Sequence, residues 1–257
     1  VSTSVFSELI FFSPTAVARS FILSNCMIPC PISEATPVWD VLPEANRAVI
    51  DSLDYFIVEN TRSARRFLSK AGVSRKIEEL EFVELNEHTT DAREVERMLK
   101  PVLAGRSAGV ISEAGVPGVA DPGAAIADLA HRHGVRVVPL VGPSSILMSV
   151  MASGLNGQSF AFVGYLPIKD PERQRRLKEL ERRVVEEQQS QLFIEAPYRN
   201  VKLFETLVKS LSPRLKLTVA TDITAPDEFI RTLTVEEWRK AGVPPFEKRP
   251  TIFILGI

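Results

Sequence analysis

Apolar and polar positions alternate in two rhythms along this chain. Short runs such as Asp54–Glu59 (DYFIVE), Ala108–Ser112 (AGVIS) and Val135–Leu140 (VRVVPL) are dense in β-branched and aromatic residues, which suits strands. Between them, Pro43–Leu53 sets Val49, Ile50 and Leu53 at helical spacing, and Thr61–Ala71 runs as a helix to a stop at Gly72. Asp91–Leu103 and Gly123–His133 continue the helical series, while Asn25–Ile32 and Phe82–Leu85 add strands. This alternation predicts a parallel sheet covered by helices. Past Gly142-Pro143, helices are expected over Ser144–Ala152, Pro171–Val185, Tyr198–Leu211 and Val235–Lys240. Strands over Phe160–Gly164, Gln191–Glu195, Leu215–Asp222, Glu228–Leu233 and Thr251–Leu255 make a mixed sheet. The fold class is therefore α/β, in two α/β domains: residues 26–141 and residues 142–257, preceded by an extension of unassigned purpose at residues 1–25.

Composition narrows the function classes. The 257 residues carry 31 basic and 32 acidic side chains, so the chain is not coated in positive charge. A local nucleic-acid site stays open, since a few clustered Arg and Lys suffice to hold phosphates. No run reaches the ~18 apolar residues of a membrane helix. Phe6–Ala18 (FSELIFFSPTAVA) looks like a signal core but has no basic n-region ahead of it, and Glu8 and Pro14 interrupt it. A cytoplasmic protein is expected, with Cys26 and Cys30 as buried thiols and no metal, because two cysteines without a second pair or a nearby His build neither a disulfide framework nor a zinc site.

The most informative stretch is Ser112–Gly123 (SEAGVPGVADPG), which follows a buried strand and opens a helix. It therefore sits at the carboxyl edge of the sheet, where open α/β folds bind ligands. Its glycines let backbone approach a ligand closely, and Pro117 and Pro122 stiffen it. It contains no Lys or Arg and matches neither the dinucleotide nor the phosphate-loop fingerprint. A polar, zwitterionic cofactor suits such a loop; a purely structural connection is the alternative.

Together with VRVVPLVGPSS and MASGL, this loop resembles the S-adenosylmethionine-dependent tetrapyrrole methylase superfamily. The similarity is greatest to the ribosomal RNA small-subunit methyltransferase I branch, which methylates a cytidine ribose 2′-oxygen. FVGYLP at Phe162–Pro167, EAPYR at Glu195–Arg199, ENTR at Glu59–Arg62 and NEH at Asn86–His88 resemble that branch's FEGFLP, ESPHR, EDTR and HEH, in the same order. The resemblance implies that the cofactor, S-adenosyl-L-methionine, lies in the interdomain cleft. Ala114, Gly115, Val116 and Pro117 would hold its methionine part, Val119, Ala120, Ser144 and Ser145 would line the pocket, and backbone at Ala161 and Phe162 would reach the adenosine. It also implies a homodimer and small-subunit ribosomal RNA as partner. The chain departs from the branch at Ser33 and Glu34 (for Gly-Asn), at Asn60 (for Asp), and at Thr221 and Ala225 (for Arg and Lys). The cofactor-side motifs are thus better kept than the acceptor-side ones. Two rivals stand beside RNA methylation: a tetrapyrrole or other small-molecule acceptor, and an inactive cofactor- or RNA-binding module.

Candidate bases for a hydroxyl acceptor are Glu59, Glu195 and His88. The two glutamates close predicted strands; Glu59 is alternatively a helix N-terminal charge, and His88 a plain loop residue. Arg62 and Arg199 are candidates for phosphate and Tyr198 for stacking on a base or sugar, against a surface Tyr and a helix-capping ion pair. Lys169–Arg183, with seven basic and four acidic residues, reads as a solvated helix face or as part of a positive rim. His131 and His133 fit the end of a helix, and Trp39 and Trp238 fit packing positions.

Overall fold

The structure, a computed structural model, describes residues 24–86 and 91–257. The chain divides into two compact units, one running to Cys30 and resuming over Pro37–Gly142, the other made of Pro31–Thr36 and Pro143–Ile257.

The first unit is a five-stranded sheet of β1 (Ser24–Ile28), β2 (Tyr55–Val58), β3 (Glu81–Glu84), β4 (Ala108–Ile111) and β5 (Arg136–Pro139), in the order β3-β2-β4-β1-β5. Every pairing is parallel, as the βα alternation predicts. The period of two is visible in β2. Phe56 and Val58 join the cluster formed with Val49, Ile50 and Leu68 on one face, while Tyr55 and Ile57 join Leu99, Val102 and Ile126 on the other. Both faces are covered, which explains why these strands read as unbroken apolar runs. The glycine within AGVIS has a packing reason: a Cβ on Gly109 would lie 2.7 Å from Ile28 Cδ1 and 2.8 Å from Phe56 Cδ1. β1 begins at Ser24, one residue before the expected strand start at Asn25, and both residues are buried. It ends at Ile28 rather than Ile32, where Pro29 and Pro31 remove ladder donors.

The second unit holds β6 (Phe160–Tyr165), β7 (Ser190–Ile194), β8 (Lys216–Thr221), β9 (Phe229–Thr234) and β10 (Thr251–Gly256), ordered β6-β7-β10-β8-β9. Only β6 and β7 run parallel; the other pairings are antiparallel, giving the mixed sheet. One face packs Phe193, Phe204, Trp238, Phe246 and Phe253, joined by ring contacts of 5.4–6.0 Å. The other face, Leu192, Ile252 and Ile254, is covered by Ile146 and Val150 of the helix Ser145–Ser153. Pro31–Thr36 belongs to this unit and is tied to it where Thr36 Oγ1 donates to the Thr224 carbonyl at 3.0 Å. Within that segment Ser33 shapes a turn of its own, its Oγ accepting the Ala35 N–H at 3.2 Å.

Candidate active site

The loop after β4 is held in shape from three directions. Since β4 lies between β2 and β1, the loop meets the residues that follow each neighbour. On the β1 side, Cys30 and Gly115 exchange two backbone hydrogen bonds, at 2.8 and 3.1 Å. On the β2 side, Glu59 Oε2 accepts the Glu113 N–H at 3.0 Å. Inside the loop, Asp121 accepts the N–H of Gly118 at 2.8 Å and that of Gly123 at 2.7 Å. Asp121 thereby caps the helix Gly123–Arg132 from outside it. Gly115 takes φ 71°, and Ala120, at φ 62°, occupies a left-handed conformation strained for a residue with a side chain. Gly115 and Pro117 are buried, Val116 is half-buried, and Ala114, Val119 and Ala120 are exposed. Small side chains therefore face solvent across a main-chain surface that is already fixed.

The electrostatics of this edge are anionic. Burial pushes the Glu59 carboxyl above its ordinary range against the opposing Glu113 hydrogen bond, and the charges of Glu113 and Asp121 push the same way. Asp121 is likewise raised by burial, which outweighs the backbone hydrogen bonds it accepts. Both carboxylates border a cavity of about 10 Å³, the size of one water, whose other walls include Ile57, Leu85 and Val110. Asn60 caps the helix Thr61–Ala71, its Oδ1 accepting the Ser63 N–H at 3.1 Å. Asn and Asp cap equally well, so the local fold survives that departure. Arg62 is exposed in the first turn of the same helix. His88 lies outside the described residues.

In the second unit, Tyr165 closes β6 opposite Ile194, and Glu195 follows β7, so both stand at one edge of the sheet. Glu195 is only 4% exposed, yet its carboxylate is engaged. Its Oε1 accepts the Ala196 N–H at 2.8 Å, Arg199 Nε–H at 2.9 Å and Arg199 Nη2–H at 2.6 Å. Arg199 Nη1 donates to the Tyr198 hydroxyl at 2.7 Å, and the guanidinium lies 5.0 Å from that ring's centre. Sequence reasoning placed these three residues side by side but missed Tyr165, whose signal was an aromatic at a strand end in FVGYLP. It also missed the holding work of Asp121, signalled by Asp-Pro-Gly at a helix start. Ser144 caps the helix Ser145–Ser153, accepting the Leu147 N–H at 3.5 Å; Ala161 and Phe162 pair with Gln191 and Leu192, and Phe162 packs on the same apolar cluster as Ile146. Thr221, where the branch has Arg, is fully buried and hydrogen-bonds Thr251 at 2.9 Å. The basic run is only partly a solvated face: Arg173 is buried and donates to the carbonyls of Pro167 and Ile168, each at 2.8 Å, while Arg176 and Arg183 both pair with Glu179. Trp238 is buried and donates to the Leu217 carbonyl, and Trp39 donates to that of Ala71. Cys26 and Cys30 are buried free thiols.

Among the described residues no helix is long and apolar enough to cross a membrane, and no group of three or more His, Cys, Asp or Glu is placed to hold a metal. No family model matches the chain. Comparison with solved structures identifies the architecture. The methyltransferase CobJ superimposes with a TM-score of 0.59 at 16% identity, over 91% of this chain and 93% of its own. Uroporphyrin-III C-methyl transferase from Thermus thermophilus, solved with S-adenosyl homocysteine, gives 0.52 at 16% identity, over 91% and 97%. The two units thus have the fold of the tetrapyrrole methylases. Sequence comparison is more specific: ribosomal RNA small subunit methyltransferase I of Mesorhizobium japonicum is 31% identical over 222 residues, 85% of this chain and 72% of that protein. The chain belongs to the ribosomal RNA small subunit methyltransferase I family, and so to the methyltransferases.

Proposed function

We propose that this protein transfers a methyl group from S-adenosylmethionine to a ribose 2′-oxygen of small-subunit ribosomal RNA. The observation that carries the reading is the Ser112–Gly123 loop, a main-chain surface fixed by the protein's own hydrogen bonds to Asp121, Cys30 and Glu59. Its chemistry fits the cofactor: Glu59, Glu113 and Asp121 lie close together, no Lys or Arg lies in the loop, and the ligand carries a sulfonium and an ammonium. The family membership and a structural neighbour solved with S-adenosyl homocysteine support the same choice.

When bound, the cofactor supplies an electrophilic methyl group whose transfer removes the charge on sulfur. The backbone of Ala114–Pro117, with Val119 and Ala120, would hold the methionine end, and its rigidity serves alignment, which in favourable systems is worth about 7–11 kcal/mol. Glu59 is the carboxylate best suited to accept the hydroxyl proton, because burial at the same sheet edge raises its basicity. The free, buried thiols of Cys26 and Cys30 fit a reducing, cytoplasmic compartment. A homodimer belongs to the reading as well; Leu147 and Met151, 52% and 82% exposed on the helix Ser145–Ser153, support it, and light scattering of the purified chain tests it.

The test of the activity is transfer of labelled methyl from S-adenosylmethionine to small subunits prepared from a strain lacking the enzyme. Incorporation into the RNA at a ribose is expected. Label that reaches only small tetrapyrroles overturns the acceptor, and no turnover on any acceptor overturns the enzyme.

A further inference from the structure

Glu195 combines two properties that a surface ion pair does not need. It is almost wholly buried, and its Oε2 has no solvent contact and no hydrogen-bond partner among the described residues. Oε1 alone takes the backbone N–H and both N–H groups of one Arg199 edge. Burying a carboxylate with one oxygen unbonded is destabilising, so the arrangement calls for a reason other than stability.

The partner has donors left. A guanidinium carries five N–H groups; Arg199 gives two to Glu195 and one to the Tyr198 hydroxyl, so two remain, one on each terminal nitrogen. Beside it stand two aromatic rings with open faces, Tyr198 at 71% and Tyr165 at 64% exposure. The Tyr165 phenol is near enough to act electrostatically on the same guanidinium. Neither ring fills a core, and both stand where β6 and β7 end.

We propose that Glu195 is a positioning residue and not the base, and that it holds Arg199 between Tyr165 and Tyr198 as a seat for one nucleotide of the RNA. The two remaining N–H groups take a phosphate as a fork, and the tyrosines take a base by stacking. This deepens the RNA reading above and rests on it.

The experiment uses the full chain and small-subunit ribosomal RNA transcribed in vitro, measuring methyl-transfer kinetics and RNA binding across salt, with titration by S-adenosylhomocysteine alongside. Arg199→Ala is expected to raise KM for RNA about tenfold and to flatten the slope of log K against log salt by about 0.7, the contribution of one phosphate contact to a single strand. Tyr165→Ala and Tyr198→Ala should each weaken RNA about tenfold, within the range of a lost base stack. Glu195→Gln, which preserves size, should reproduce the Arg199 effect in KM and leave the acid limb of the kcat–pH profile in place. Arg199→Lys keeps the charge without the fork and should fail to restore KM. Throughout, affinity for S-adenosylhomocysteine should stay at the wild-type value. If Glu195→Gln instead lowers kcat about 100-fold and abolishes the acid limb at constant KM, Glu195 is the base and the proposal falls. Unchanged KM and salt slope in a folded Arg199→Ala also overturn it, without touching the activity. Absence of transfer by the wild type overturns the RNA reading itself.

Discussion

The two sheet edges proposed to hold cofactor and RNA are built by opposite means. At the edge of the first sheet the proposed cofactor surface is main chain, and side chains such as Asp121 and Glu59 work behind it, accepting N–H groups to hold the loop. At the edge of the second sheet the backbone stays in the background, and the exposed surface is made of side chains, with Arg199 pinned by Glu195 and flanked by exposed tyrosines. The difference matches what each is proposed to recognise. A main-chain surface with small neighbours suits one fixed small molecule, whereas a guanidinium fork and aromatic faces suit a phosphate and any base. It also explains the pattern of departures in the sequence: Gly115 has a backbone conformation to protect, while Thr221 has become part of a buried threonine pair.

Perturbing each edge separately sharpens this contrast. The largest effect is expected from Gly115→Val, which forces a β-branched residue into φ 71° at a buried position bonded to Cys30. Strain of about 1–3 kcal/mol should weaken S-adenosylhomocysteine by up to about 100-fold in a calorimetric titration, with RNA affinity kept. If RNA binding fell and the cofactor stayed, the division between the edges would be reversed. Next comes Asp121→Ala, which leaves the Gly118 and Gly123 N–H groups without their acceptor. A loss of about 1–3 kcal/mol in stability is expected, read by thermal denaturation, together with weaker cofactor binding as the loop loosens.

A smaller effect of opposite sign is expected from Glu59→Gln. Burial raises the folded-state pKa of Glu59 above its unfolded value, so its contribution to stability is complete below the unfolded pKa and is lost as pH rises through the folded one. Removing the charge should therefore raise Tm at neutral pH, with the gain shrinking as pH falls into the ordinary carboxylate range. The same variant should lower kcat, since Glu59 is the proposed base; a Tm gain that persists in acid would refute the desolvation account. Asn60→Asp should change stability least, within about 0.5 kcal/mol, because either residue caps the helix Thr61–Ala71. A large change there would mean that residue 60 does more than cap.

Much of this was legible in advance where a residue's reason is local. The parallel sheet shows in AGVIS and VRVVPL because both faces of those strands are covered, and the constrained loop Ser112–Gly123 shows because glycine and proline mark backbone constraints directly. What stayed hidden depends on partners distant in sequence. Nothing near Pro31–Thr36 announces that Thr36 meets Thr224, and nothing near Thr221 announces its hydrogen bond to Thr251. The four-residue helix Val38–Val41 is too short to show a period. At Glu195 the sequence shows both the carboxylate and Arg199 four residues on, but not that one oxygen takes two guanidinium N–H groups while the carboxylate is buried.

The most direct measurement is isothermal titration of the purified chain with S-adenosylhomocysteine. Saturable binding of one ligand per chain, abolished or greatly weakened by Gly115→Val, is the predicted result. No heat at millimolar ligand, or equal affinity in the two proteins, would contradict a cofactor held by the main chain of Ser112–Gly123.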